Sequence, residues 1–200
     1  MDFDLPPDLS DRASIRSFMR QRRNQLTDQQ QLVAAKGLSQ QLMSLPWFQR
    51  AQNIGVYLAN DGEIDPIVIA TRSIYRKRSL YLPILNPAKK GHLIFGDYSG
   101  PKIRNRFGIE EPDPKRCTVI KPQQLDLVLL PLVAFDKQGG RLGMGGGFYD
   151  RTFEFLKRSG QTKPKLVGLA HELQQVPTLP IEQWDVPLSA IVTDKQVIAV

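Results

Sequence analysis

The sequence has little of the chemistry on which many small folds and hydrolytic enzymes rely. It contains one cysteine, Cys117, and two histidines, His92 and His171. One cysteine cannot form an internal disulfide, and no Cys/His cluster is present to make a structural zinc site. Neither histidine lies in a serine, cysteine or metal-binding pattern, so we expect packing or surface roles for both. These absences argue against a disulfide-stapled fold and against catalysis by a nucleophile with a histidine base.

Long apolar runs are also absent. No stretch approaches the roughly 18 consecutive apolar residues that would span a bilayer. The first residues, MDFDLPPDLSDRAS, carry acids and prolines where a secretory signal carries a basic patch and an apolar run. We therefore expect a cytoplasmic protein without a membrane partner. Hydrophobic residues make up 41% and charged residues 24% of the chain, which is a globular composition, and residues 1–200 fit a single domain.

Positive charge is in excess, with a formal net charge of +7. Such an excess attracts polyanions over long range without indicating which polyanion. Nucleic acid and nucleotide substrates both qualify. The placement of the charges therefore has to decide between them.

Two amphipathic helices are predicted near the N-terminus. After Ser10, a plausible N-cap, apolar residues recur at helical spacing and a stripe of arginines occupies another face. The stripe consists of Arg12, Arg16, Arg20 and Arg23. Thr27 and Gln30 resemble a capping box that begins a second helix, which ends before Pro46. We expect these two helices to form an N-terminal hairpin.

From Asn53 onwards the pattern changes to short apolar runs. IGVYLA and SLYLPIL are predicted strands, joined by the predicted helix PIVIATRSIYRKR. Parallel strands that are covered on both faces read as such continuous runs. HLIFGDY, LDLVLLP, LVGLA and AIVTD supply further strands, and PKIRNRFGIEEPDPKRC is expected to be a long surface loop near the site. The order predicts a three-layer α/β fold with a mostly parallel central sheet and ligands beyond the carboxyl ends of the strands.

A glycine-rich segment, KQGGRLGMGGG, lies between the strand LDLVLLPLVAFD and the predicted helix FYDRTFEFL. Glycine at this density lets backbone N–H groups converge on an anion, and a helix N-terminus favours negative charge. The spacing matches neither a Walker A loop nor a dinucleotide fingerprint, and a flexible hairpin is the alternative. Arg141 suits phosphoryl oxygens and Asp150 suits Mg²⁺, so a phosphate site is favoured.

The string GGRLGMGGGFYDR resembles the nucleotide-binding motif of the 5-formyltetrahydrofolate cyclo-ligases, also called methenyltetrahydrofolate synthetases. The arginine helix, GVYLANDGEID, NRFGIEEP, DLVLLPLVAFD and WDVPLSAIVT occur in that family's order, so the resemblance covers about residues 11–194. It implies ATP-dependent closure of 5-formyltetrahydrofolate to 5,10-methenyltetrahydrofolate with release of ADP and phosphate. ATP would phosphorylate the formyl oxygen, and N10 would attack the activated carbon.

The resemblance also implies roles for individual residues, with Arg141 as the catalytic one. Arg12 stands where the family commonly has lysine. The implied ATP-binding residues are Arg12, Arg16, Arg141, Leu142, Gly143, Met144, Gly145, Gly146, Gly147, Phe148 and Tyr149. The implied folate-binding residues are Leu58, Glu63, Met144, Gly145, Gly146, Gly147 and Phe148. Asp150 and Asp185 are the implied magnesium-binding carboxylates.

The other arginines of the first helix, Arg20, Arg22 and Arg23, are expected to form a solvated face. Four aromatic residues near the predicted strands could border the folate rings, although packing is the commoner role for such residues. They are Tyr57, Phe95, Phe107 and Phe148.

Two other functions stay open from the sequence. A nucleic-acid-binding module would use the arginine stripe but has no use for the glycine segment followed by Asp150. A non-catalytic folate-binding protein on the same scaffold would be expected to have lost the basic pair, the glycine segment or the metal carboxylates. We therefore favour an enzyme that uses ATP, Mg²⁺ and 5-formyltetrahydrofolate, with or without a polyglutamate tail. We expect no nucleic acid and no obligate protein partner.

Overall fold

The computed structural model describes residues 6, 8–66, 78–158 and 160–200. Its helices are α1 (Arg12–Asn24), α2 (Asp28–Ser44), α3 (Pro46–Arg50) and α4 (Phe148–Phe153). The first strands are β1 (Asn53–Gly55), β2 (Ser79–Leu85), β3 (Leu93–Asp97), β4 (Lys102–Arg104), β5 (Glu110–Pro112) and β6 (Val119–Ile120). The later strands are β7 (Leu127–Pro131), β8 (Ala134–Phe135), β9 (Arg141–Leu142), β10 (Lys165–Leu169), β11 (Ala190–Val192) and β12 (Val197–Ala199).

Eight of these strands form one sheet in the order β12-β11-β10-β7-β1-β2-β3-β6. The central strands β11, β10, β7, β1 and β2 are parallel to one another, while β12 and β3 are antiparallel to their inner neighbours. The predicted mostly parallel sheet is therefore confirmed, as is the parallel pairing of IGVYLA with SLYLPIL. The first of these strands is shorter than expected and ends at Gly55. The helix predicted between them, PIVIATRSIYRKR, lies almost wholly outside the described residues.

The alternation of side chains along β7 explains why its sequence is continuously apolar. Leu127 and Leu129 join the core cluster on one face of the sheet, and Val128 and Leu130 join the cluster on the other face. All four are buried. A strand covered on both faces has no solvent side, so no position along it favours a polar residue.

The helices cover the two faces unequally. Leu38 and Leu42 of α2 and Phe48 of α3 pack on one face, while Phe153 of α4 packs on the other. The two N-terminal helices follow each other as predicted, but α1 packs elsewhere. Its apolar side chains meet the β8–β9 hairpin and the segment that ends at Leu179. This placement leaves the arginine-bearing surface of α1 beside the carboxyl ends of the strands.

The predicted N-terminal cap of α2 is confirmed, whereas the predicted cap of α1 is wrong by one residue. Thr27 and Gln30 form the predicted capping box, with Thr27 N donating to Gln30 Oε1 over 2.8 Å and Gln30 N donating to Thr27 Oγ1 over 3.3 Å. The N-cap of α1 is Asp11 rather than Ser10. The carboxylate of Asp11 accepts from the backbone N–H groups of Ala13 and Ser14, so it satisfies two of the unpaired donors of the first turn.

The segment PKIRNRFGIEEPDPKRC was expected to be a loop and instead forms a two-stranded hairpin. β4 and β5 pair antiparallel, with Arg104 opposite Glu110. Asn105 shapes the turn, because its side-chain oxygen accepts from the backbone N–H groups of Phe107 and Ile109. An asparagine that satisfies two backbone donors replaces ladder hydrogen bonds that a short turn cannot make. The expectation of a loop missed this local stabilisation.

In the part of the chain that the structure describes, no helix has the length and apolar character needed to cross a bilayer.

The packing of α2 yields a stability prediction at Gly37. Alanine in place of a helical glycine usually stabilises by about 1 kcal/mol. Here a Cβ would lie 2.4 Å from the carbonyl oxygen of Asp194, and such overpacking costs about 1–3 kcal/mol. We expect Gly37→Ala to lower the free energy of unfolding by about 1 kcal/mol in urea titrations.

The matched control is Gln40→Ala, at an exposed position of the same helix. It should stay within about 0.5 kcal/mol of the wild type. A stabilised Gly37→Ala variant would show that the contact with Asp194 does not constrain α2.

Candidate active site

A cavity of about 910 Å³ lies beyond the carboxyl ends of the central strands. Tyr57 and Leu58 follow β1, Pro83 lies in β2, and Pro131 and Leu132 lie at the end of β7, and all of them line the cavity. Backbone turns leave a parallel sheet at this edge, so side chains from several strands converge there. The cavity occupies the position that the fold class predicts for a ligand.

The cavity brings together residues that lie up to 173 positions apart, as Arg12 and Asp185 do. The predicted site residues that line it are Arg12, Arg16, Leu58, Glu63, Arg141, Gly143, Met144, Gly145, Gly146, Gly147, Phe148, Tyr149, Asp150 and Asp185. The side chain of Leu142 lies elsewhere, in the core cluster of α1 and the β8–β9 hairpin. Any ligand contact by Leu142 would therefore have to use its backbone.

Two arginine–carboxylate pairs stand at one side of the cavity. Arg12 meets Asp185 with two prongs, Nη1 to Oδ2 at 3.1 Å and Nη2 to Oδ1 at 3.4 Å. Arg141 Nη2 donates to Asp150 Oδ1, which also accepts from Val186 N at 3.1 Å. Burial lowers the pKa of the Arg141 guanidinium, while Asp150 and Asp185 act in the opposite direction. Four charges of alternating sign are thus held close together in a half-buried position.

The glycine segment is held at two points by guanidinium groups. Arg16 Nε donates to the carbonyl oxygen of Gly143 over 2.8 Å. Arg151 Nε donates to Gly91 O over 3.0 Å, and its Nη2 donates to Gly146 O. The first part of the segment forms the turn of the β8–β9 hairpin, and these contacts hold the second part beside the cavity. Phosphate binding by the segment stays a prediction.

Two glycines of this segment require a left-handed backbone. Gly145 has φ +90° and Gly147, the residue before α4, has φ +61°. A Cβ on Gly147 would also lie 2.7 Å from Arg151 Nη1. Glycine is needed at both positions because other residues disfavour this backbone region. α4 has only six residues, so its dipole contributes less here than the sequence suggested, and the fixed backbone contributes more.

A metal site made by the protein alone is not present in the described residues, because no group of three or more His, Cys, Asp or Glu side chains converges there. Asp150 and Asp185 are each paired with an arginine. Mg²⁺ commonly takes one or two carboxylates and completes its shell with water and substrate phosphates. Two carboxylates fit that pattern, and the predicted magnesium role stays a prediction.

Arg23 is completely buried, so the prediction of a solvated face is wrong for this residue. Its Nε donates to Asp61 O over 2.7 Å, its Nη2 to Asp61 Oδ2 over 2.8 Å, and its Nη1 to Leu132 O over 3.1 Å. Arg23 continues the buried row of Ile15 and Met19 at intervals of four residues. That spacing alone indicates burial of Arg23, against the usual exposure of arginine.

The neighbouring arginines have different surroundings. Arg20 is half-exposed and donates from Nε to Asp61 Oδ2 over 2.7 Å. The hydrogen bond from Arg20 is the main cause that lowers the pKa of Asp61 to about 2. Arg22 lies over the ring of Phe18 and donates to Leu173 O. The prediction of a solvated position therefore holds for Arg20, which is exposed although it is paired with Asp61, and holds only in part for Arg22, which is half-buried.

Glu63 ends a strained turn that faces the cavity. Asp61 has φ +52° and Gly62 has φ +71°. Glu63 Oε2 accepts from Asn60 N over 3.1 Å, and Glu63 Oε1 lies 3.9 Å from Arg23 Nη2. Burial raises the pKa of Glu63 to about 7, because the distant Arg23 only partly offsets desolvation. The turn therefore presents a carboxyl group of high proton affinity to the cavity.

His171 supports this turn from behind, in agreement with the packing role predicted for it. The side chain is buried, and Nε2 lies 3.2 Å from Gly62 O. Burial lowers the pKa of His171 to about 4. A neutral imidazole with its proton on Nε2 is the form that can donate to this carbonyl. His92 lies away from this cluster, with Nδ1 3.2 Å from Lys90 O.

Part of the cavity wall is apolar and comes partly from the β4–β5 hairpin. Phe107 meets Phe148 edge to face, with ring centroids 5.9 Å apart. Tyr57 lines the cavity but donates its hydroxyl to Ile64 O over 2.6 Å. Phe95 is buried in the sheet core and has a packing role. Two of the four aromatic residues considered from the sequence thus form an aromatic wall.

The sequence predictions missed several residues that line the cavity. Asn105 Nδ2 donates to Glu111 Oε2 over 3.1 Å, and Leu85 N donates to the same oxygen over 3.1 Å. Trp184 also lines the cavity, one position before Asp185. The strings NRFGIEEP and WDVPL marked these segments, but no periodicity indicated which of their side chains would face a ligand.

The fold and the site define an α/β protein with one cavity that combines a guanidinium-lined glycine segment, two carboxylates and an apolar wall. The model of the 5-formyltetrahydrofolate cyclo-ligase family matches residues 8–194. The chain belongs to the 5-formyltetrahydrofolate cyclo-ligase family.

Individual relatives agree with this membership. The chain is similar to the 5-formyltetrahydrofolate cyclo-ligase of Escherichia coli K12, with 40% identity over 182 residues that cover 90% of this chain and 98% of the relative. The corresponding protein of Haemophilus influenzae is 42% identical over 180 residues, covering 88% and 94%. The 5,10-methenyltetrahydrofolate synthetase structure from Aquifex aeolicus has a TM-score of 0.76 and 27% identity, covering 94% and 92%.

The opposite pKa shifts of His171 and Glu63 generate a prediction on stability. The folded state favours neutral His171, so stability is lost as pH falls from the ordinary value of 6.5 towards 4. It also favours neutral Glu63, so stability is lost as pH rises from the ordinary value of 4.5 towards 7. Each effect amounts to about 3 kcal/mol at its limit. We expect the two effects nearly to cancel in the wild type where the ranges overlap, from pH 4.5 to 6.5.

Single variants separate the two effects in urea titrations at a series of pH values. Relative to the wild type, Glu63→Gln should lose more stability on acidification, because the effect of His171 is then no longer offset by Glu63. Relative to the wild type, His171→Gln should lose more stability as the pH rises from 4.5 to 7, because the effect of Glu63 is then no longer offset by His171. Profiles parallel to that of the wild type in both variants would contradict the assigned shifts.

Proposed function

We propose that this protein catalyses the ATP-dependent cyclisation of 5-formyltetrahydrofolate to 5,10-methenyltetrahydrofolate, with release of ADP and phosphate. Membership of the family supports the reaction. The structural observation that carries the proposal is the single cavity, in which the guanidinium-lined glycine segment borders Glu63 and the aromatic wall. Its volume is at the upper end of the range for small-molecule sites, as two substrates bound side by side would need.

The proposed ATP site uses Arg12, Arg16 and Arg141 with the backbone of residues 143–147. In this proposal Arg12 and Arg141 exchange their carboxylate partners for phosphate oxygens when ATP binds. Phosphoryl transfer depends mainly on positioning and on neutralising charge, and fixed guanidinium groups and backbone donors supply both. The family resemblance implies Arg141 as the catalytic residue. Its side chain is 8% exposed against 21% for Arg12, so water would screen its charge less.

Asp150 and Asp185 are the proposed ligands of Mg²⁺, which would supply further charge neutralisation at the phosphates. Both carboxylates become available when their arginines turn to the phosphates. The exchange keeps every charge paired in the free and in the bound protein, which avoids the cost of an uncompensated buried charge.

The proposed folate site lies on the other side of the glycine segment. Glu63 would accept hydrogen bonds from the amino group and ring N–H of the pterin. Leu58, Met144 and Phe148 would contact the rings. In the reaction, the formyl oxygen attacks the γ-phosphorus and ADP leaves. N10 then attacks the formyl carbon and loses its proton, the C–O bond breaks, and the oxygen leaves as hydrogen phosphate, which balances the released proton. The protein's part is to hold N10 against that carbon.

The alternative functions find no specific support. Arg12, Arg16, Arg20 and Arg23 contact residues of this chain around the cavity, so the stripe does not form an open surface for nucleic acid. The residues that a non-catalytic relative would be expected to lack are present and converge. The cytoplasmic location, the single domain over residues 1–200 and the absence of an obligate protein partner stay predictions from the sequence.

Formation of the methenyl product tests the proposal, because its absorbance rises as the ring closes. Purified protein with 5-formyltetrahydrofolate, Mg²⁺ and ATP should give an ATP-dependent rise. We expect Arg141→Ala to lower kcat by about 100-fold or more, as loss of a charge-stabilising donor does. Asp150→Asn should raise the Mg²⁺ concentration needed for half-maximal rate.

Lys163→Ala is the matched control for lost charge, because Lys163 is exposed and does not line the cavity. It should keep the wild-type rate and Mg²⁺ dependence. No rise in absorbance with folded wild-type protein would exclude the proposed reaction. A fully active Arg141→Ala variant would exclude the proposed role of that arginine.

We further propose that a polyglutamate tail follows the basic side of the β4–β5 hairpin. Arg104 and Arg106 are exposed there, next to the cavity-lining residues Asn105 and Phe107. Exposed ion pairs are weak and sensitive to salt. Arg104→Ala combined with Arg106→Ala should therefore raise KM for a triglutamate substrate about threefold at low salt.

The same variant should leave KM for the monoglutamate nearly unchanged, and high salt should abolish the difference. Equal KM values for mono- and triglutamate substrates in the wild type at low salt would exclude this tail site.

A further inference from the structure

An exposed tryptophan stands beside the proposed phosphate site. Trp184 has 64% of its surface accessible and lines the cavity together with Arg12 and Asp185. Tryptophan is highly buried on average, so an indole that is held open to a ligand cavity is informative. Neither the family reaction nor the predicted site residues account for it.

The turn that carries Trp184 is fixed by hydrogen bonds on both sides. Asp185 N donates to Glu182 O and Glu182 N donates to Asp185 Oδ2, each over 3.0 Å. Lys157 Nζ donates to Gln183 O over 2.6 Å. The turn is also tied to the two ion pairs, since Asp185 binds Arg12 and Val186 N donates to Asp150. The indole is therefore presented by a rigid turn and not by a loose loop.

The other aromatic residues of the cavity have partners. Phe107 and Phe148 contact each other, and the ring of Tyr149 stacks on that of Phe153. The hydroxyl of Tyr57 is bonded within the core. Among the described cavity residues, Trp184 is the aromatic side chain without a ring, cation or hydrogen-bond contact. Its π face is thus available to a flat ligand.

We propose that Trp184 is the platform on which the purine base of ATP stacks. The inference rests on the proposed function, which puts the triphosphate against Arg12, Arg16 and the glycine segment. The base of the nucleotide has to lie beyond one end of the triphosphate. Trp184 is next to Asp185, which is paired with Arg12, so its indole is near the proposed phosphate site. Indole gives the strongest stacking surface among side chains, and a purine overlaps it more than a pyrimidine does. Trp184 therefore selects purine nucleotides, while the arginines hold the phosphates of any nucleotide.

Intrinsic fluorescence provides a direct test, because the chain has two tryptophans. Trp47 packs against the core beside Lys165 and contributes background fluorescence. The Trp184→Phe variant retains only Trp47, so its fluorescence measures that background. ATP without folate should shield Trp184 from acrylamide quenching. CTP should shield it less, and inorganic tripolyphosphate should not shield it.

Binding affinity measured by calorimetry gives the second readout. Trp184→Ala should weaken ATP binding about tenfold, since one base stacked on an aromatic side chain contributes on this scale. Tripolyphosphate binding should be unchanged, and Trp184→Phe should retain most of the ATP affinity. The matched control is Ile181→Ala, because Ile181 is 63% exposed in the same turn and does not line the cavity. Its ATP affinity should stay within about twofold of the wild type.

The outcomes separate this inference from the proposed function. The stacking site would be excluded if Trp184→Ala bound ATP as tightly as the wild type does, or if ATP and tripolyphosphate shielded Trp184 equally. If the wild type still formed the methenyl product, the proposed reaction would stand. Base-dependent shielding in a protein that does not form the methenyl product would support the stacking site and exclude the proposed reaction.

Discussion

A fully buried guanidinium has to have its donors satisfied by protein, and in this chain the burial of Arg23 organises the candidate site. Its donors reach Asp61 and the carbonyl oxygen of Leu132, so α1, the turn before Glu63 and the end of β7 are joined at one point. An unpaired buried charge would cost several kcal/mol, so the three segments are held together. Glu63 occupies its position at the cavity because this junction fixes the turn.

The other arginines of the cavity also have partners within the protein. Arg12 and Arg141 are paired with Asp185 and Asp150, and Arg16 is anchored to the carbonyl oxygen of Gly143. Each of these guanidinium groups therefore has a defined position and a compensating partner within the protein, so none of them is a buried charge without a partner.

The cavity wall contains two kinds of surface. One consists of ion pairs and a glycine backbone, and the other contains the edge-to-face contact between Phe107 and Phe148. Glu63 also lines the cavity, and its burial raises its pKa to about 7 because the carboxyl group is poorly hydrated. The cavity therefore combines charged, aromatic and titratable groups in one space.

The sequence alone indicated the buried central strands, because a run such as LVLLP that is covered on both faces has no polar position, but it did not indicate β4 and β5, which it predicted as a loop. It also indicated the glycine segment, in which the structure places Gly145 and Gly147 in left-handed backbone. Ordered motifs also identified the family. Only the tertiary structure decided that Arg23 is buried, that Asp61 is its partner, and that Trp184 faces the cavity. Spacing along one helix shows which residues share a face. It cannot show which distant segment covers that face, because this choice depends on packing across the whole chain.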